Sequence, residues 1–127
     1  MTERITLTEE QVTGTNLERH ALYIGYYSEV LNELKKENIA GISSYEIPEE
    51  ESQWRVIGAN FVIEVGETYK VPVYLCTKKN RIGNHIRKYP DIPVIFLRDP
   101  ENGKINSSET LKKNTIKMLS NYLLGHY

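Results

Sequence analysis

The chain has 127 residues, of which 39% are hydrophobic and 26% charged, with a formal net charge of -1. This composition fits one soluble globular domain and excludes a wholly disordered chain, while a pI near 6.3 disfavours sequence-independent DNA binding by the whole molecule. No apolar run approaches the roughly 20 residues of a membrane span, the N-terminus lacks a signal peptide's apolar segment, and the lone Cys76 cannot form an intramolecular disulfide. The expected compartment is the cytoplasm, with no membrane partner and no structural zinc.

Charge is divided unevenly. Residues 1–67 carry a balance of -8 and residues 68–127 a balance of +7. Either the two halves attract each other in the fold, or a bipolar surface offers one basic face to nucleic acid or to an acidic protein.

In chain order, residues 1–15 form a polar N-terminal segment, and a single domain spans 16–127. From Asn16, a reasonable N-cap, Leu17, Ala21, Ile24, Ser28 and Leu31 recur at helical steps, widened by Tyr27 and Leu34. The spacing predicts a helix of about five turns ending near Glu37 and Asn38. Ile42–Ile47 reads as a short strand closed by Pro48, followed by the solvated run Glu49-Glu50-Glu51. Residues 56–65 alternate, with Ile57, Ala59, Phe61, Ile63 and Val65 on one face. Gly66-Glu67-Thr68 then turns the chain into a third strand over Tyr69–Lys78. Within it, Pro72 must sit at a bulge or face no acceptor.

The stretch Thr77–Pro90 carries five cationic side chains, one histidine and no acid, and launches from the end of that strand. Phosphate is the expected ligand, held by Lys78, Lys79, Arg81, His85, Arg87 and Lys88. Residues 91–97 form a further, nearly continuous apolar strand. Asn106 and Glu109 have capping-box spacing and open a final helix with the stripe Leu111, Thr115, Met118, Leu119 and Tyr122. Lys112, Lys113 and Lys117 lie off that stripe. The fold class is therefore α+β: helix, three-stranded antiparallel meander, short basic connection, further strand and C-terminal helix.

Gly25-Tyr26-Tyr27-Ser28-Glu29 in the first helix, Asn60 to Glu64 in the second strand and Tyr74-Leu75-Cys76-Thr77-Lys78 in the third carry a likeness to a known family. On these motifs the chain resembles the PD-(D/E)xK nuclease superfamily over roughly residues 18–98, which implies a restriction-endonuclease-like core. The resemblance places Glu29 at the helix acid and Lys78 at the strand lysine. Asn60 stands where a metal-binding Asp belongs, and Cys76 where the family has Glu, Asp or Gln. Mg²⁺ prefers charged oxygen ligands, so these departures imply a fold that has lost metal-dependent hydrolysis or never had it. A migrated set of Glu29, Glu64 and Lys78 is the alternative, with Lys78 orienting water against a phosphodiester and Mg²⁺ required only in that active form. Whether the chain is an enzyme stays open at this level.

Each of these residues also has an ordinary structural reading. Glu29 falls with Glu18 and Glu33 opposite the apolar face, His85 is a loop histidine, and Cys76 packs as a small hydrophobe. The functional expectation is a nuclease-like domain with a degenerate catalytic motif that binds nucleic acid or nucleotide phosphates through residues 78–88. A second reading is a small phage or mobile-element inhibitor that docks by its acidic helix and Glu49-Glu50-Glu51. Tyr89-Pro90-Asp91-Ile92-Pro93 before an apolar strand, followed by Asn102-Gly103, also looks similar to the ubiquitin-conjugating fold. Cys76 comes too early in the chain for that family's chemistry.

Overall fold

The structure is a computed structural model that describes residues 7–77 and 87–125. Helix α1 spans Asn16–Lys36, strand β1 Ile42–Glu46, the short helix α2 Gln53–Val56, β2 Phe61–Val65, β3 Tyr69–Cys76, β4 Val94–Phe96 and helix α3 Ser108–Leu123. The fold is α+β. Its one four-stranded sheet has the order β1-β2-β3-β4, with β1, β2 and β3 antiparallel and β4 parallel to β3. The basic connection therefore leads from one strand to its parallel neighbour, a link that a tight hairpin cannot make.

Local chemistry moves both helix starts by one residue. Thr15, not Asn16, caps α1: its hydroxyl accepts from the Glu18 N–H at 3.2 Å, and the Glu18 carboxylate accepts from the Thr15 N–H at 3.1 Å. Ser107, not Asn106, caps α3 through the Thr110 N–H. Asn106 is engaged elsewhere, donating its backbone N–H to the Leu97 carbonyl and Nδ2 to the Phe96 carbonyl, both at 2.8 Å.

The predicted strand over 56–65 is shortened. Ser52 caps α2, and Gly58, at φ 95°, ends it before the chain turns into β2. Val56 and Ile57 consequently stand exposed on a helix and its cap, whereas Ala59, Phe61, Ile63 and Val65 of the predicted face are buried, with Val62 buried on the other face as well. Pro72 behaves as expected. The Tyr74 N–H reaches the Pro93 carbonyl, and nitrogens two residues apart in a strand face the same flank, so Pro72 faces the β4 side just before that ladder starts at Tyr74.

The core lies on one face of the sheet, where α1 and α3 cover Phe61, Ile63, Val71, Val73, Leu75 and Ile95. The buried stripe of α1 is Tyr23, Tyr26, Tyr27, Val30, Leu31 and Leu34. The predicted stripe is thus wrong in its first half: Leu17 is 84% exposed and Ala21 is also exposed. The three tyrosines win because each buries a ring and still satisfies its hydroxyl. Tyr23 accepts from Arg98 at 2.9 Å, Tyr26 donates to the Asn106 carbonyl at 2.8 Å, and Tyr27 shares a 2.8 Å hydrogen bond with Thr115. The Tyr27 ring meets Phe61 edge-on at 5.0 Å. Burying such a side chain contributes roughly 1.5–3 kcal/mol, whereas leaving Leu17 in water costs the fold only what it fails to gain.

Charge also joins the two halves of the chain. Arg98 forks onto the Glu9 carboxylate, and Lys112 meets Glu33, with Glu37 3.8 Å away. Both contacts run from the acidic half to the basic half, which supports the reading that the halves attract each other in the fold. Lys112 is buried between α1 and α3, not at the solvent face that its place off the apolar stripe suggests. The segment ahead of α1 likewise belongs to the packed structure, since Leu7 joins the core and Val12 packs against it.

Candidate functional site

The candidate site is the basic connection between β3 and β4. Lys78, Lys79, Arg81 and His85 lie outside the described residues. Arg87 and Lys88 are exposed, helical residues at its far end. The residues after them tie this end to the fold. Lys88 Nζ stands 5.4 Å over the Tyr89 ring, the Ile92 N–H reaches the Tyr89 carbonyl at 3.2 Å, and Ile92 is buried.

Tyr89 in turn lies against Gly58. A Cβ placed on that glycine would come within 2.6 Å of the Tyr89 ring, so only a hydrogen at this position admits the aromatic side chain. At the near end of the connection, Cys76 is 2% exposed at the end of β3 and pairs in register with Phe96. A thiol buried to that degree is shielded from substrates in solution.

The proposed catalytic carboxylates do not meet. Glu29 is exposed on α1, which covers the sheet face that carries Phe61 and Ile63. Glu64 sits at the opposite parity of β2, where it faces Lys70 in register on the side turned away from α1 and α3. The sheet separates the two, and Lys78 falls outside the described residues.

Asn60 has a structural task in place of the metal-ligand position. Its backbone N–H donates to the Val73 carbonyl at 2.9 Å, and its Oδ1 accepts the Leu75 N–H at 2.5 Å. The side chain thus closes the seam where β2 stops and β3 continues. An oxygen already holding a backbone donor is poorly placed to ligate a cation. Among the described residues, no three His, Cys, Asp or Glu side chains cluster to hold a metal ion.

Arg98 carries no motif in the sequence, yet it ties the segment ahead of α1, α1 itself and the turn after β4 together. Besides Glu9 and Tyr23 it donates to the Gly103 carbonyl at 2.9 Å, and its guanidinium lies 5.6 Å from the centre of the Tyr23 ring. The hydrogen bond to Arg98 lowers the Glu9 pKa, and the same bond raises that of Arg98. The one sequence signal is an arginine directly after an apolar strand, with acids far upstream to receive it. Burial raises the Tyr27 pKa, against the hydrogen bond to Thr115.

On the face of β1 and β2 turned away from α1 and α3, a pocket of about 150 Å³ is lined by Ser44, Tyr45, Glu46, Val62, Glu64 and Lys70. No described helix is long and apolar enough to cross a membrane. Comparison with family models, with curated proteins and with solved structures finds no match to this chain.

Proposed function

We propose that this chain is a nuclease-like binding domain without hydrolytic activity, which holds the phosphates of nucleic acid or nucleotides on the 78–88 connection. The supporting observation is how densely positive charge is placed along the chain. Five cations of the basic half, Lys78, Lys79, Arg81, Arg87 and Lys88, fall within one short connection between neighbouring strands. Such density matches a polyanion better than it matches a fold seeking internal neutrality.

Catalysis is left out of the proposal because Glu29 and Glu64 stand on opposite sides of the sheet and Asn60 is spent on Leu75. In this reading the domain neutralises phosphate and does not activate water.

Fluorescence anisotropy with a labelled oligonucleotide at several salt concentrations tests the idea. Five phosphate contacts predict a slope of log K against log salt of about -4, and reversal of Arg87 and Lys88 to glutamate reduces it by roughly 2. Absent or salt-insensitive binding would refute the proposal. Cleavage that requires Mg²⁺ and is lost in Glu29→Gln or Glu64→Gln would refute its non-catalytic part.

A further inference from the structure

Among the described residues, one edge of the sheet is covered and the other is open. On the outer flank of β4 the chain covers itself, because Asn106 donates to the carbonyls of Leu97 and Phe96. At the other end stands β1, and none of the described strands pairs with its outer flank. A strand directs backbone N–H and C=O groups to both sides, so an edge strand presents unpaired groups to whatever approaches.

The usable stretch is short. Register slips between Ile42 and Ser44, and the Ser43 hydroxyl turns inward to the carbonyls of Glu64 and Gly66. Ser44–Glu46 remains as a regular edge, and the chain continues from it into Ile47, which is 48% exposed. Apolar exposure recurs a few residues on, at Val56 (68%) and Ile57 (40%).

The charge here selects the partner. Glu46 and Glu64 share the sheet face turned away from α1 and α3, since Glu46 pairs with Val62 and Ser44 with Glu64, and both carboxylates line the same pocket, where Lys70 beside Glu64 is, among the described residues, the one cation against them. Glu49, Glu50 and Glu51 follow, all exposed. Two copies joined edge to edge would set these acids against one another, and like charges facing across strands are destabilising. A polyanion is repelled for the same reason.

We propose that the β1 edge docks an extended, basic segment of another protein, which adds to Ser44–Glu46 as a fifth strand. Backbone groups supply the ladder, arginine or lysine side chains reach Glu46 and Glu64, and apolar side chains cover Ile47. This surface is separate from the 78–88 connection, so it stands whether or not that connection binds phosphate.

The test uses the full chain, ¹⁵N-labelled, with three synthetic octapeptides. One alternates arginine with valine, one alternates glutamate with valine, and one repeats the first with N-methylated backbone nitrogens on alternate residues. The expected result is that the first peptide shifts the amide signals of Ser44–Ile47 while the other two do not. Glu46→Gln and Glu64→Gln should each weaken its affinity by roughly two- to five-fold. Equal binding by the N-methylated peptide would overturn strand addition, because charge alone would then suffice. Shifts confined to other residues, or the same amides responding to an oligonucleotide, would also overturn it.

Discussion

Replacing Gly58 by alanine tests how the basic connection is fastened to the sheet. Two costs act together at this position. The backbone sits at φ 95°, where a Cβ is strained by roughly 1–2 kcal/mol. The added methyl would also stand 2.6 Å from Tyr89 Cδ2 and 2.7 Å from Cγ, so the ring must move, at a typical overpacking cost of roughly 1–3 kcal/mol. Gly58→Ala should therefore lose about 2–5 kcal/mol. With an unfolding entropy of about 2.1 cal/mol/K per residue, each kcal/mol shifts Tm by about 4 °C in a chain of this length, giving a fall of about 8–20 °C by calorimetry.

The cycle with Tyr89→Ala separates the two contributions. Once the ring is gone, Gly58→Ala should retain only the backbone cost, so the double variant is less destabilised than the sum of the single variants by about 1–3 kcal/mol. Strict additivity would mean that Tyr89 does not pack on Gly58. An unchanged Tm in Gly58→Ala alone would refute both parts of the reasoning.

Asn60→Ala removes the acceptor of the Leu75 N–H and should cost about 1–3 kcal/mol in chemical denaturation, whereas Asn60→Asp keeps an acceptor and should stay closer to the parent. If Asn60→Asp instead gains Mg²⁺-dependent cleavage, the non-catalytic reading fails. For the Glu9–Arg98 pair, the folded-state pKa of Glu9 is lowered, so its contribution to stability is complete above the ordinary glutamate range. That contribution is lost as pH falls through the lowered value. Glu9→Gln should accordingly flatten the fall of Tm between roughly pH 5 and pH 3, and an unchanged acid limb would contradict the pairing. Lys112→Met leaves Glu33 without its cation in the α1–α3 interface and should cost about 1–3 kcal/mol, discounted from a fully buried pair because Glu33 is partly exposed. Adding Glu33→Met should restore most of the loss, and a double variant as unstable as Lys112→Met would count against the ion pair as the cause.

Much of the architecture is legible in the residue order. Period-2 alternation from Phe61 to Val65, the turn at Gly66 and the apolar run at 94–97 each state a local preference, and local preference suffices where one face of a strand must be buried. Residues 53–57 mislead because alternating apolar residues also fit a helical turn, and the decision belongs to Ser52 and Gly58 on either side. The first helix misleads differently. Leu17, Ala21 and Ile24 offer a stripe as regular as the tyrosines, and nothing nearby in sequence reveals that Arg98, Asn106 and Thr115 wait to receive three hydroxyl groups.

The candidate site divides along the same line. Charge and its concentration in residues 78–88 are properties of the chain itself, independent of how it folds. Whether carboxylates 35 positions apart converge is a property of the sheet alone, and the sheet places Glu29 and Glu64 on opposite sides. By itself, then, the sequence determines the α+β class, the order of most elements and the basic segment, because these follow from periodicity, turn chemistry and composition. The tertiary structure alone decides the parallel placement of β4, the inward turn of the tyrosines, the use of Asn60 as a backbone clasp and the open edge at β1. Each of these depends on partners distant along the chain, and only packing brings such partners together.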